Sequence, residues 1–449
     1  QKLINSLLPS EIIHCRQTKQ QVDPLRPGNI SSNTLEEWVF NDDYARDKLQ
    51  QQFGTSNLKG FGIERLPAGI IAAGAILHYL EETEHRETGH ISAIHRLEQD
   101  AYVWMDQFTI RNLELIHPQQ DGGISLIHVV DHTVTAMGSP LLKQWVEFPL
   151  MQPEEIRRRH DSVEVLSGNT GMLGDLREAL GEIADLERLI GKVATARINP
   201  REFLQLRNSF KQIPQIRELL LENDDAECKA IAENLHTSER LVDRITSDLK
   251  DEVPLLTNQG NMMRDGINEE LDELRKIAFS GKDYLVQIQQ REAERTGITS
   301  LKIAYNKVFG YYLEVSNAHK DKVPEEWIRK QTLVNAERYI TEELKIYEEK
   351  ILHAEEKLVV IEQHLYSELV SFAGDFCERI QETAREIGRL DCLQSFAKLA
   401  VSNNYVRPEI NDGLALDIKQ GRHPVIEQQM PAGEKYIPND VFLDSNDAQ

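Results

Sequence analysis

Between Leu301 and Phe372 the hydrophobic period changes abruptly, and that switch limits the possible folds more than any other feature of the chain. Leu301, Ile303 and Tyr305 alternate with Ser300, Lys302 and Ala304, and the pattern continues through Val308, Phe309, Tyr311, Tyr312, Leu313 and Val315 around Gly310. A period of two in aromatic and β-branched residues predicts a β-hairpin. Further on, Ile340, Leu344, Tyr347, Ile351, Ala354, Leu358, Ile361 and Leu365 step alternately by four and three. This is a heptad seam, and a helix carrying it through Phe372 would run about 33 residues and roughly 50 Å.

The stretch from Ile267 to Arg295 contains no proline; Leu271, Leu274, Ile277, Ala278, Leu285 and Ile288 supply an apolar stripe, with Arg291, Glu292, Glu294 and Arg295 toward water. A helix leads out, a small β unit forms the tip, and a helix leads back. Rods of this length exceed ordinary globular helices and are suited to holding the tip at a distance. Charge singles out the same place. Residues Arg275–Ile340 carry twelve Lys/Arg against eight Asp/Glu, a net +4 in a chain of −23.

A length of 449 residues allows three or four domains. Overall acidity argues against nucleic acid, yet a local basic patch can bind phosphates, because counterion release is counted over the contact. No run approaches 18 uncharged apolar residues, and the start has no cleavable leader pattern, so no membrane role is expected. Beginning without Met, the chain reads as a piece of a longer protein. Cys15, Cys228, Cys377 and Cys392 lack CxxC spacing, fall in segments read as helix or loop, and are expected to be reduced thiols of a cytoplasmic protein.

Residues 1–65 mix short helical and strand-like pieces, like the second half of an α/β domain. From Pro67 a helical face follows, with Ile70, Ala73, Gly74, Leu77 and Leu80. His78, His85 and His90 lack a zinc spacing and read as surface residues. Residues 153–250 read as successive helices punctuated at Ser167-Gly168-Asn169, Asn199-Pro200, Pro214 and Asn223-Asp224-Asp225. After about Ser402, Leu414–Ile418 and Val441–Leu443 read as strands of another α/β piece.

No catalytic constellation emerges. Ser280-Gly281-Lys282-Asp283 lacks the leading Gly and the Ser/Thr of a phosphate loop, and reads as a helix interruption. The pairs Glu342-Glu343, Glu348-Glu349 and Glu355-Glu356 read as solvated sides of the rod. At the tip, Lys302, Asn306, Lys307, Arg329, Lys330, Gln331, Asn335 and Arg338 are types that bond phosphate oxygens without reading bases. A solvated mixed-charge surface is the alternative reading of the same residues.

Longer motifs add a resemblance. Gly281-Lys282-Asp283-Tyr284, Glu292-Ala293-Glu294-Arg295-Thr296-Gly297, Asn306-Lys307-Val308-Phe309-Gly310-Tyr311-Tyr312 and Gln331–Tyr339 closely resemble the clamp region of the MutS family of DNA mismatch-recognition proteins. Phe53-Gly54, Gly60-Phe61-Gly62 and Ala72-Ala73-Gly74 are similar to its connector-to-core junction. Asp106, Thr109, Arg111–Glu114, Thr135 and Met137-Gly138-Ser139 are similar to its core, and Gly421–Val425 to the approach to its ATPase.

The resemblance implies a mainly α fold: a long-lever helical core with a small β-rich clamp at the tip, flanked by incomplete α/β pieces. Its divisions would be 1–65 connector, 66–268 core and lever, 269–339 clamp, 340–402 returning lever and 403–449 the start of a P-loop ATPase. It implies a homodimeric ring on double-stranded DNA, cytoplasmic and nucleoid-associated, with a MutL-type repair partner and with ATP and Mg in the full-length protein. Carried over by position, Lys302, Asn306, Lys307, Arg329, Lys330, Asn335 and Arg338 would meet DNA phosphates, while Tyr436, with Asn439 nearby, would meet adenine.

Departures limit what is implied. The mismatch-wedging Phe-x-Glu of the N-terminal domain is absent, since Phe376-Cys377-Glu378 lies among the returning helices. No Walker A loop is present, and Pro140 stands where the family usually has Arg. The piece is therefore expected neither to recognise mismatches nor to hydrolyse ATP. A MutS-like scaffold whose rods serve dimerisation without holding a duplex is the runner-up.

Overall fold

The computed structural model describes residues 9–25, 30–55, 57–58, 61, 63–83, 88, 91, 94, 101–306, 310–431 and 434–444. Mainly helical with small sheets, it divides into two compact units, Gln1–Ile198 with Gln205–Val242 and Ala373–Gln449, and Asn199–Leu204 with Asp243–Phe372. In chain order the principal elements are β1 (Glu11–Cys15), β2 (Ser31–Leu35), α1 (Asp42–Phe53), α2 (Pro67–Glu82), α3 (Gly138–Glu147), α4 (Pro153–Gly168), α5 (Thr170–Gly181) and α6 (Leu186–Ala194). They continue with α7 (Glu269–Thr296), β3 (Lys302–Asn306), β4 (Gly310–Ser316), β5 (Ile328–Thr332), β6 (Ala336–Ile340), α8 (Glu342–Gly374), α9 (Cys377–Asn403), β7 (Leu416–Gly421) and β8 (Asn439–Leu443).

In the first unit β1 and β2 pair in parallel, Glu11 opposite Ser31 and Cys15 opposite Leu35. Asn41 caps α1 by accepting from the Tyr44 amide at 3.2 Å, and Gly54 ends it in the left-handed region. α1 can lie against α2 because residue 74 is Gly: a Cβ there would sit 2.5 Å from the Ala45 Cβ. Ala45, Leu49, Leu58, Ile63, Ile70 and Leu77 form the local core. His78 is not a surface residue. It is buried, its Nδ1 2.8 Å from the Tyr44 hydroxyl, and its ring packs edge-on against Trp38 and Tyr44. The helix face containing Ile70, Gly74 and Leu77 also takes in position 78, one turn beyond Gly74. His85 and His90 lie outside the described residues.

The helical core of this unit is built on α9, which buries Ile380, Ala384, Ile387, Leu390, Cys392, Leu393 and Ala397 around its girth. A helix apolar all round must be enclosed. α3, α4, α5 and α6 pack against it. The Asp391 carboxylate, fully buried, accepts from the amides of Val134 at 3.0 Å and Thr135 at 2.8 Å, from the Thr135 hydroxyl at 2.6 Å and from Gln394 Nε2 at 2.6 Å. Gly138 follows the same loop, and any Cβ there would overlap that carboxylate.

Pro214 does not punctuate the helices: it lies inside the helix Pro200–Leu221. Ile213, Ile216 and Leu220 around it are buried, and packing overrides the local cost of proline. Cys15 sits on β1 and not on helix or loop, while Cys228 and Cys392 are buried, and burial pushes both of those thiols up. The four cysteines are unbridged.

In the second unit α7 and α8 extend about 42 Å and 50 Å at 1.5 Å per residue. α7 runs without interruption through Ser280–Asp283, contrary to the sequence reading. One glycine inside a helix costs only ~1 kcal/mol, less than breaking a long rod. Asn268 caps its start by accepting from the Leu271 amide at 2.9 Å, and Gly297 ends it with φ 64°.

The heptad seam on α8 holds only in part. Ile340 belongs to β6; Leu344, Ile351 and Ala354 are buried, but Leu358, Ile361 and Leu365 are half-exposed, and Glu362, Tyr366, Leu369 and Val370 take the inner face. A straight helix at 3.6 residues per turn drifts off a 3.5 repeat by ~20° per heptad, so the buried line moves round. Glu362, 2% exposed, accepts from Arg275 Nη2 at 2.5 Å and from the Met262 amide at 3.0 Å, tying α8 to α7 and to the loop before it.

Between the long helices stands a four-stranded antiparallel sheet, order β3-β4-β6-β5. The sequence suggested one hairpin; β5 and β6 make a second. Leu313, Val315, Trp327 and Tyr339 pack with Leu285 and Ile288 of α7 and Leu344 and Ile351 of α8 in a continuous core.

Candidate nucleic-acid interface

The sheet is fixed to both helices by polar ties as well as by its core. The Ile303 amide donates to Gln289 Oε1 of α7 at 3.1 Å. Glu343 of α8 accepts from the Tyr284 hydroxyl at 2.7 Å and pairs with Arg291, while Tyr284 stacks on Tyr347 with ring centroids 3.9 Å apart. Thus Glu343 is not simply solvated. Gly310, at φ 76°, faces Glu348 so closely that any Cβ would overlap its carboxylate, so Glu348 also has an inward role.

These ties set the local electrostatics. Arg291, and secondarily the Tyr284 phenol, hold the Glu343 carboxyl below its ordinary 4.5, while the bond to Glu343 pushes Tyr284 up to about 12. A carboxylate whose pKa is lower folded than unfolded adds stability that is complete above the unfolded value and lost as pH falls through the folded one. Glu343→Gln is therefore expected to flatten the acid limb of the stability profile below about 4.5 and to leave its shape at neutral pH unchanged. Thermal melts from about pH 3 to about pH 7 check this; an acid limb as steep in the variant as in the parent would refute it.

The candidate phosphate ligands do not form one cluster. Lys302 is exposed on the edge strand β3, and Arg329 and Lys330 are exposed on the opposite edge strand β5. Three strand spacings, about 14 Å, separate the two edges. Lys330 is the extra residue of a β-bulge, since Arg329 opposes Tyr339 and Gln331 opposes Arg338. Bulges re-aim side chains at sheet edges. Among the described residues neither Lys302 nor Lys330 makes an ion pair, and Arg329, 61% exposed, reaches Glu337 only at 3.4 Å.

Arg338 is differently placed. Lys302, Glu314, Arg338 and Gln331 fall in one row across the strands. Arg338 donates to Glu314 at 3.1 Å and to Gln331 at 2.9 Å, and its guanidinium lies 4.4 Å from the Tyr312 ring centroid. Its fork is largely occupied within the sheet, where it organises the row. Asn306 ends β3 half-buried at the far end of that strand from Lys302, and Asn335 is exposed in the turn between β5 and β6. Lys307 lies outside the described residues.

Sequence reasoning missed Glu314, Gln331 and Tyr312 as the partners that hold Arg338. The Ile328–Thr332 and Ala336–Ile340 runs on either side of a short turn were the available signal for the second hairpin that brings them together.

Tyr436 is half-buried before β8, and Asn439 opens β8 opposite Gly421. Both strands of that antiparallel pair are exposed, with Phe442 and Leu443 uncovered. Phe376, whose Phe-x-Glu letters match the wedge motif but whose place among the returning helices indicated core packing, is buried at the start of α9.

Comparison with known proteins gives two family matches along the chain. Residues 108–397 match the family description MutS domain III, and residues 1–92 match MutS domain II. The DNA mismatch repair protein MutS of Cytophaga hutchinsonii is 53% identical over 100% of this chain and 52% of its own length. Those of Bacteroides thetaiotaomicron and Flavobacterium psychrophilum are 53% and 50% identical, each again over 100% of this chain and 52% of the relative. The chain spans about half the length of these curated relatives. With long helices bracketing a small sheet, and with both matched domains in sequence, the chain belongs to the MutS family.

Proposed function

We propose that the second unit grips the backbone of duplex DNA without reading its sequence, as one arm of a MutS-type mismatch-repair protein. The observation that carries this reading is the exposure of Lys302, Arg329 and Lys330 at the edges of a sheet braced on two long helices, in a protein otherwise strongly acidic. Their separation of about 14 Å suits contacts spread along phosphates better than a pocket for one anion. Asn306, Lys307 and Asn335 would add hydrogen bonds, and Arg338 would hold the row in place.

In the whole protein this unit would act in a cytoplasmic, nucleoid-associated homodimer with a MutL-type partner, coupled to a nucleotide site. Tyr436 and Asn439 would lie toward the adenine of that site, where ATP with Mg, when bound, would supply the driving free energy. No helix among the described residues is long and apolar enough to cross a membrane.

Reversing charge at Lys302, Arg329 and Lys330 to Glu tests the proposal. Three lost phosphate contacts forfeit about 0.9 each in the log–log salt slope, so binding near 0.1 M salt is expected to weaken on the order of 100-fold. Unchanged affinity would sink the grip and favour rods that serve dimerisation alone.

A further inference from the structure

At the turn joining β5 to β6 the structure presents an apolar side chain where a solvated loop would carry a polar one. Val334 is 91% exposed, more than any other large apolar residue among those described. The turn beneath it is braced. The Leu333 amide donates to the Ala336 carbonyl at 2.8 Å, Asn317 Nδ2 to the Val334 carbonyl at 2.8 Å and the Asn317 amide to the Asn335 carbonyl at 3.1 Å. The side chain is thus offered on a fixed backbone, and little ordering entropy remains to be lost on contact.

Its surroundings indicate what it meets. Strand register puts the turn beyond the end where Ser316 opposes Ala336, two residues outside the row that holds Lys302 and Arg338. The bulged Lys330 lies on the strand leading into the turn. A second copy bringing the same cations face to face would be repelled, whereas a polyanion would be drawn to both flanks. Between phosphates, the apolar surface that a duplex offers is its deoxyribose and base edges in a groove.

Building on the proposed duplex grip, we infer that Val334 seats against the sugar and base edges of a DNA groove, supplying an apolar contact that salt does not screen, between cations that salt does. Lys302 and Lys330 would bring the backbone in, and Val334 would set how deeply the sheet end sits.

The two kinds of contact differ in salt dependence, and that is the test. The 449-residue chain is titrated with a fluorescent duplex over a salt series, as wild type, Val334→Ala, Val334→Ile and Lys302→Ala. Two carbons removed from a buried contact predict about three- to ten-fold weaker binding for Val334→Ala at every salt concentration, with the slope unchanged. Val334→Ile keeps wild-type affinity, and Lys302→Ala lowers the slope by about 0.9. Because Val334 is exposed, the variants are expected to melt with the parent.

Equal affinity of Val334→Ala and wild type at all salts would overturn the inference while leaving the duplex grip standing. A changed slope would also overturn it, showing that the turn acts only by placing cations. Reduced self-association of Val334→Ala without DNA, by sedimentation, would reassign the turn to contact between copies. If wild type shows no salt-dependent binding, the duplex grip falls first and the inference with it.

Discussion

Glu362→Ala is expected to destabilise the second unit by about 2–4 kcal/mol, from a lost charge-assisted bond to Arg275 and a buried Met262 amide left without its acceptor. Its carboxylate is 2% exposed and accepts from both Arg275 and the Met262 amide. Alanine leaves the amide without its acceptor and the guanidinium with only the Met263 and Arg264 carbonyls and the outer carboxylates of Asp265 and Asp272. Glu362→Gln keeps the shape and one acceptor and should lose distinctly less. Chemical denaturation gives the size of the loss. Hydrogen exchange gives its place, with the amide of Met262 losing protection first. A loss under ~1 kcal/mol for the alanine variant would show that these contacts are not what ties α8 to α7.

Asp391→Ala is expected to produce a comparable loss of about 3–5 kcal/mol in the first unit. Asp391 receives two backbone amides, a hydroxyl and a side-chain amide, all in a site closed to water. Asp391→Asn should fare little better, because its NH2 would face a donor wherever it points. Gly138→Ala provides a check from the other side of the contact, since its methyl would overlap the carboxylate. Near-wild-type stability of both Asp391 variants would mean that the loop through Thr135 and Gly138 is held by other groups.

Much of this architecture is legible in the sequence, for reasons that can be named. Apolar spacing over α7 and α8 is long and proline-free, so their existence and length follow from periodicity. The first hairpin follows from alternation around Gly310. Where the reading failed, the geometry of a long helix or a tertiary contact decided the outcome. Ser280–Asp283 resembles a break, yet the rod around it persists. His78 lies at helical spacing from Gly74, on the apolar face, but its residue type reads as polar surface; Trp38 and Tyr44, far away in sequence, pack against its ring. Glu362 is a charged residue between two seam positions, and only the drift of a straight helix turns it inward.

The site divides along the same line. Residue types gave the cationic candidates, because Lys and Arg near the tip stand out against a strongly acidic chain. Register then sorted them. It sent Lys302 and Lys330 to opposite edges and engaged Arg338 with Glu314, Gln331 and Tyr312. No local pattern discloses such cross-strand partners, since they depend on how two hairpins align. Val334 was invisible for another reason: a single valine in a turn means nothing until its exposure is known.

The most direct test of the duplex grip is the affinity of this chain for a labelled duplex, matched and mismatched, by fluorescence anisotropy across a salt series. The structure predicts binding that weakens steeply with salt, by a log–log slope of about 0.9 per phosphate held and roughly 3 for Lys302, Arg329 and Lys330 together. It also predicts equal affinity for the two duplexes. Binding that ignores salt, or none at low salt, would contradict it.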